Sequence, residues 1–140
     1  MTVKISNIQG AHCRQMGYVV VTNNPLVLLE LSGDHTVDFA EQTYLELLER
    51  VRSMVHEGSR ILSHPQAGGV QSGETPYRSI LVQPVHGPVD VDSLKLIESA
   101  IAATRKFQNK TPLYKEGVSR DFQVVDLALI RSGIESADAM

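Results

Sequence analysis

Polar, charged and backbone-permissive residues crowd into one stretch, RILSHPQAGGVQSGETPYRSILVQP, from Arg60 to Pro84. Two short apolar runs there bracket a loop rich in Gly, Pro and Ser, Ser63 to Tyr77, which leads into Arg78. Within it, Gly68 and Gly73-Glu74-Thr75 reproduce the glycine spacing of a phosphate-binding P-loop. Glu74 stands where that loop needs Lys, and a carboxylate there repels a triphosphate. Pro76 also disfavours helix at Thr75, where a P-loop helix must continue. Nucleotide hydrolysis by this route is excluded.

A simpler anion site survives. Successive backbone N–H groups at Gly68, Gly69 and Gly73 can form a concave nest for a carboxylate or phosphate, with Thr75 adding a hydroxyl. Arg78 can pair with such an anion, and Tyr77 can close over it. The competing explanation is that the glycines only let a long loop turn, since Gly tolerates positive φ. Loops of this length without regular structure are often functional. His64 and Glu74 supply a second option, an acid–base pair acting on a carboxylate- or phosphate-bearing substrate. Against it stands a structural His64 that bonds backbone. Thr22, Asn23 and Asn24 form the other polar turn. They read either as a cap or as amide and hydroxyl donors aimed at the same anion. No His- or carboxylate-rich metal motif occurs, so neither metal nor cofactor is expected.

Strands and helices alternate around these turns. Tyr18 to Val21 is a dense β-branched strand, and Asn24 and Pro25 suit the cap and first residue of a short helix through Leu31. Thr36 to Phe39 reads as a strand. Tyr44, Leu47, Leu48, Val51, Met54 and Val55 share one face of a helix that stops at Gly58. Ile61-Leu62 and Ser79 to Val82 flank the loop as strands. A helix follows Asp90 or Asp92, and a last one places Phe122, Val125, Leu129 and Ile130 inward and ends near Gly133. The order predicts a single α/β domain with a mostly parallel sheet and helices on both faces, occupying 18–133. Residues 1–17 read as an arm or edge strand and 134–140 as a frayed tail. Ligands in such sheets bind at the carboxyl ends of strands, so the two polar turns should converge.

Composition narrows the function. The 140 residues carry a dispersed net charge of −3, which gives nucleic acid no basic face. No apolar run reaches the roughly 18 residues of a membrane span. The opening MTVKISNIQG lacks the apolar core of a signal peptide, which favours the cytoplasm. Cys13 is the sole cysteine and lies in the least patterned segment. With no Gly-x-Ser-x-Gly elbow either, a nucleophilic hydrolase is disfavoured. Exposed helical faces allow a homodimer, although no heptad seam is visible.

Three segments carry a resemblance: Val21-Thr22-Asn23-Asn24-Pro25-Leu26-Val27, the Tyr44 to Gly58 helix, and Leu62-Ser63-His64-Pro65 through Gly73-Glu74-Thr75-Pro76-Tyr77-Arg78-Ser79. Together they resemble the GrdX family, most strongly from Tyr18 to Val89, with Ser63 and Arg78 where Thr and Lys are expected in many relatives. The resemblance implies a small cytosolic accessory protein of the selenium-dependent glycine, sarcosine or betaine reductase systems of amino-acid-fermenting bacteria. Its implied partners are a small anionic metabolite or a reductase subunit.

Overall fold

The computed structural model describes residues 2–5, 17–63, 76–107 and 116–139. Strands β1 (Thr2–Ile5), β2 (Val19–Thr22), β3 (Thr36–Ala40), β4 (Arg60–Ile61) and β5 (Ser79–Gln83) form one sheet in the order β1-β3-β2-β5-β4. Among the described residues four helices accompany them: α1 (Pro25–Leu31), α2 (Tyr44–His56), α3 (Val91–Phe107) and α4 (Glu116–Asp138).

The expectation of a mostly parallel sheet is corrected. Among the described residues only β2 and β3, joined through α1, pair in parallel. The β1–β3, β2–β5 and β4–β5 pairs are antiparallel. The alternation of strands and helices does orient β2, β3 and β4 the same way. However, β5 inserts between β2 and β4 and runs antiparallel to both, converting two potential parallel neighbours into antiparallel ones.

Side-chain alternation divides the core in two. Val19, Val21, Ile80 and Val82 join Leu47, Leu48, Val51 and Val55 of α2 and Ile97 and Ile101 of α3. Val20, Leu81 and Val37 join Leu26, Val27 and Leu31 of α1 and Leu127, Ile130 and Ile134 of α4. The four residues of β2 are all buried, which explains their unbroken β-branched run.

Local signals set the helix ends. The Asn24 side chain accepts from Leu26 N, with Pro25 at the first helical position. Thr43 and Glu46 close a reciprocal capping box on α2. Gly58, at φ 112°, turns the chain out of α2. At the last helix the expectation fails in two ways. α4 continues through Gly133 to Asp138, and although Ile130 is buried as expected, it is joined by Asp126, Leu127 and Ile134, while Val125 is 45% exposed.

Because β2 and β4 both run antiparallel to β5, their carboxyl ends share a rim with the amino end of β5. Thr22 is paired with Ser79 there.

Candidate functional site

That rim holds a buried polar cluster built from three elements. Thr22, Asn23 and Asn24 arrive on the β2–α1 turn, Arg78 and Ser79 on the lead into β5, and Asp126 on α4. Each is 6% exposed or less. Buried polar groups are tolerated only when bonded, and here they bond one another.

Asn23 joins the two turns. Its Oδ1 accepts from Arg78 N at 2.9 Å, and its Nδ2 donates to Pro76 O at 2.9 Å and Gln42 O at 3.0 Å. Asn24 ties the helix start to α4. Its Nδ2 donates to Gln123 O and to Asp126 Oδ2, each at 3.0 Å, while its Oδ1 caps α1. Both amide hydrogens of each Asn are therefore taken up within the chain.

Asp126 gathers three donors. Ser79 N donates to Oδ1 at 2.9 Å, and Ser79 Oγ, at 2.7 Å, joins Asn24 on Oδ2. Burial pushes the Asp126 carboxyl above the ordinary carboxylate range, outweighing the Ser79 and Asn24 hydrogen bonds and the charge of Arg78, which favour ionisation. Ser79 Oγ also lies 2.7 Å from Thr22 Oγ1, which accepts from Asn24 N at 2.9 Å.

Arg78, 2% exposed, donates Nε to the Tyr44 hydroxyl at 3.0 Å, with its guanidinium carbon 5.6 Å from the Tyr44 ring centroid. Tyr77 accepts from Gln123 Nε2 at 3.0 Å, drawing the loop stem against α4. At the other stem, Leu62 N donates to Leu81 O and Ser63 Oγ accepts from Leu81 N, both at 2.8 Å.

Of the predicted site residues, Thr22, Asn23, Asn24, Tyr77 and Arg78 thus meet at one rim. His64, Gly68, Gly69, Gly73, Glu74 and Thr75 lie outside the described residues. Asp126, Ser79, Tyr44 and Gln123 were missed. The signal for Asp126 was its place beside the Leu127–Ile130–Ile134 stripe, a carboxylate on an inward helix face.

A cavity of about 390 Å³ lies at the opposite rim, lined by Gly58, Arg60 and the Val85–Asp92 segment, away from all of these. Among the described residues no His, Cys, Asp and Glu cluster could hold a metal, and no helix is long and apolar enough to cross a membrane.

The mixed sheet, its four helices and the buried polar rim define a small α/β protein. The chain belongs to the GrdX family, described as GrdX-like proteins, whose model matches residues 19–135 and so takes in both polar turns and Asp126. No curated protein and no solved structure matches it.

Proposed function

We propose that this protein is a non-catalytic accessory protein of glycine, sarcosine or betaine reductase metabolism that binds a small carboxylate or phosphate anion at the Thr22–Asn24 and Tyr77–Arg78 rim. Family membership supports the accessory role. The observation that carries the site is the grip of Asn23 on the stem of the Gly-rich loop, through Pro76 O on one side and Arg78 N on the other. Asn23 and Asn24 brace the rim, since their amides already serve the protein. Contact with the anion falls to the loop N–H groups of Gly68, Gly69 and Gly73 and to the charge of Arg78.

The test is thermal stabilisation by acetate, glycine and inorganic phosphate, measured on the wild type and on Arg78→Met with its fold checked by circular dichroism. Stabilisation by acetate or phosphate that disappears in a folded Arg78→Met protein is the expected result. No stabilisation by any of the three sinks the anion reading. Co-purification with a reductase component that fails when 66–74 is deleted would then assign the rim to a protein partner.

A further inference from the structure

Asp126, Ser79 and Thr22 form a line of polar atoms that ends on the Arg78 carbonyl. The separations are 2.7 Å from Asp126 Oδ2 to Ser79 Oγ, 2.7 Å from Ser79 Oγ to Thr22 Oγ1, and 3.4 Å from Thr22 Oγ1 to Arg78 O. A hydroxyl offers one donor and two acceptor sites, so such a line can be satisfied in either direction. With Asp126 ionised, Thr22 donates to Ser79 and Ser79 donates to Asp126. With Asp126 protonated on Oδ2, Asp126 donates to Ser79, Ser79 to Thr22, and Thr22 to Arg78 O. Thr22 still accepts from Asn24 N in both states, and Oδ1 still accepts from Ser79 N. One proton enters from solvent, each hydroxyl rotates, and no heavy atom has to move.

We propose that this reversible hydroxyl line makes Asp126 a proton-accepting positioning residue of the rim, setting the charge presented beside Arg78. Among the described residues the charged group acting on Asp126 is Arg78, from the lead into β5. The β2–α1 turn brings neutral Thr22 and Asn24. α4 brings neutral Gln123, held by Tyr77, and α2 reaches Asp126 only through Tyr44 on Arg78. Once Asp126 is neutral, one negative charge beside Arg78 is gone, and the rim attracts an anion more strongly. This coupling rests on the anion reading above; the proton line does not.

The experiment is a carboxyl carbon NMR titration of Asp126 in the wild type, Thr22→Val and Ser79→Ala. In the wild type, Asp126 should titrate above the exposed carboxylates of the same chain. Thr22→Val removes the acceptor that the protonated state needs, so its midpoint should fall. Ser79→Ala removes a donor to the ionised state, so its midpoint should rise. A purely structural network gives no such opposed pair. If neither variant folds, the wild-type titration still decides, since a midpoint at or below the exposed carboxylates overturns the proposal. The coupling is read with sulfate, which keeps its charge across neutral pH. Its affinity should tighten by up to about tenfold per pH unit of acidification in the wild type and stay flat in Asp126→Asn. Binding without that difference overturns the coupling. No sulfate binding at any pH sinks the anion site and its coupling, and leaves the proton line to the carboxyl titration.

Discussion

Two carboxylates at opposite rims of the sheet hold the same pair of donors. Asp126 accepts from the N–H and the hydroxyl of Ser79, at 2.9 and 2.7 Å. Asp90, before α3, accepts from the N–H and the hydroxyl of Ser93, at 3.2 and 2.7 Å. The hydrogen bonds from Ser93 hold Asp90 below the ordinary carboxylate range, with Arg60 adding to them, whereas burial lifts Asp126 above it. Two of the three hydrogen bonds on Asp126 thus match those on Asp90, yet the two proton affinities shift in opposite directions. What differs is water: Asp90 lies near the surface, and Asp126 is 3% exposed. The far rim uses a serine–aspartate pair as a helix cap, and the near rim encloses the same pair and couples it to Arg78.

The largest effect should come from removing the enclosed carboxylate. Asp126→Ala leaves Ser79 N–H and an Asn24 amide hydrogen without acceptors in a dry site, so it should cost about 3 kcal/mol in chemical denaturation. Asp90→Ala should cost less, because removing a carboxylate that already lies near the surface opens the buried Ser93 donors to solvent. Comparable losses at both positions would break the contrast.

Tolerance at Asp90 does not make the far rim soft. A Cβ on Gly58 would lie 2.6 Å from Gly87 N and 2.8 Å from Gly87 O, at a φ of 112° that L-residues avoid. Gly58→Ala should therefore cost about 2 kcal/mol. Gly33→Ala, with nothing within 4 Å of the added carbon, should stay within about 0.5 kcal/mol of wild type and serves as the control.

Ser93 sharpens the comparison further, at about 1 kcal/mol. Its hydroxyl, besides donating to Asp90, accepts from Ile61 N at 2.9 Å and so covers the outer edge of β4. Ser93→Ala should expose that N–H, and hydrogen exchange at Ile61 should quicken while exchange at Ser79 is unchanged.

Features decided by neighbours in the chain were legible in the sequence. The β2 run, the Asn24–Pro25 helix start and the α2 face each follow from residues a few positions apart, and all stand where expected. The insertion of β5 between β2 and β4 is a non-local pairing, and no pattern of alternation encodes it. The orientation of α4 was ambiguous for a different reason. One apolar stripe, Phe122, Val125, Leu129 and Ile130, was expected inward; a second, Leu127, Ile130 and Ile134, shares Ile130 with it, and the second brings Asp126 inward. The second stripe wins because Asp126 finds partners on Asn24 and Ser79, which lie far away in sequence. The stem residues Pro76 and Arg78 do reach the Thr22–Asn24 turn, but on the lead into β5, which lies between β2 and β4.

The smallest expected effect is the pH dependence of stability, because the two aspartates oppose each other. Asp126 has a folded-state proton affinity above its unfolded one, so folding favours the protonated form. Its contribution to stability declines as pH rises from the ordinary carboxylate range to its raised value, then levels off. Asp90 behaves conversely. Its contribution is complete above the ordinary carboxylate range and is lost as pH falls through its lowered value. Glu46, held down by its backbone and side-chain hydrogen bonds to Thr43, adds to the Asp90 side. Urea midpoints from about pH 3 to about pH 7 should thus change little in the wild type beyond the general loss on acidification. In Asp126→Asn the opposing contribution is gone, and the acid limb should steepen. Asp90→Asn should flatten it. Identical limbs in Asp126→Asn and wild type would mean that the enclosed carboxylate titrates like any surface group, and the contrast between the rims would reduce to packing.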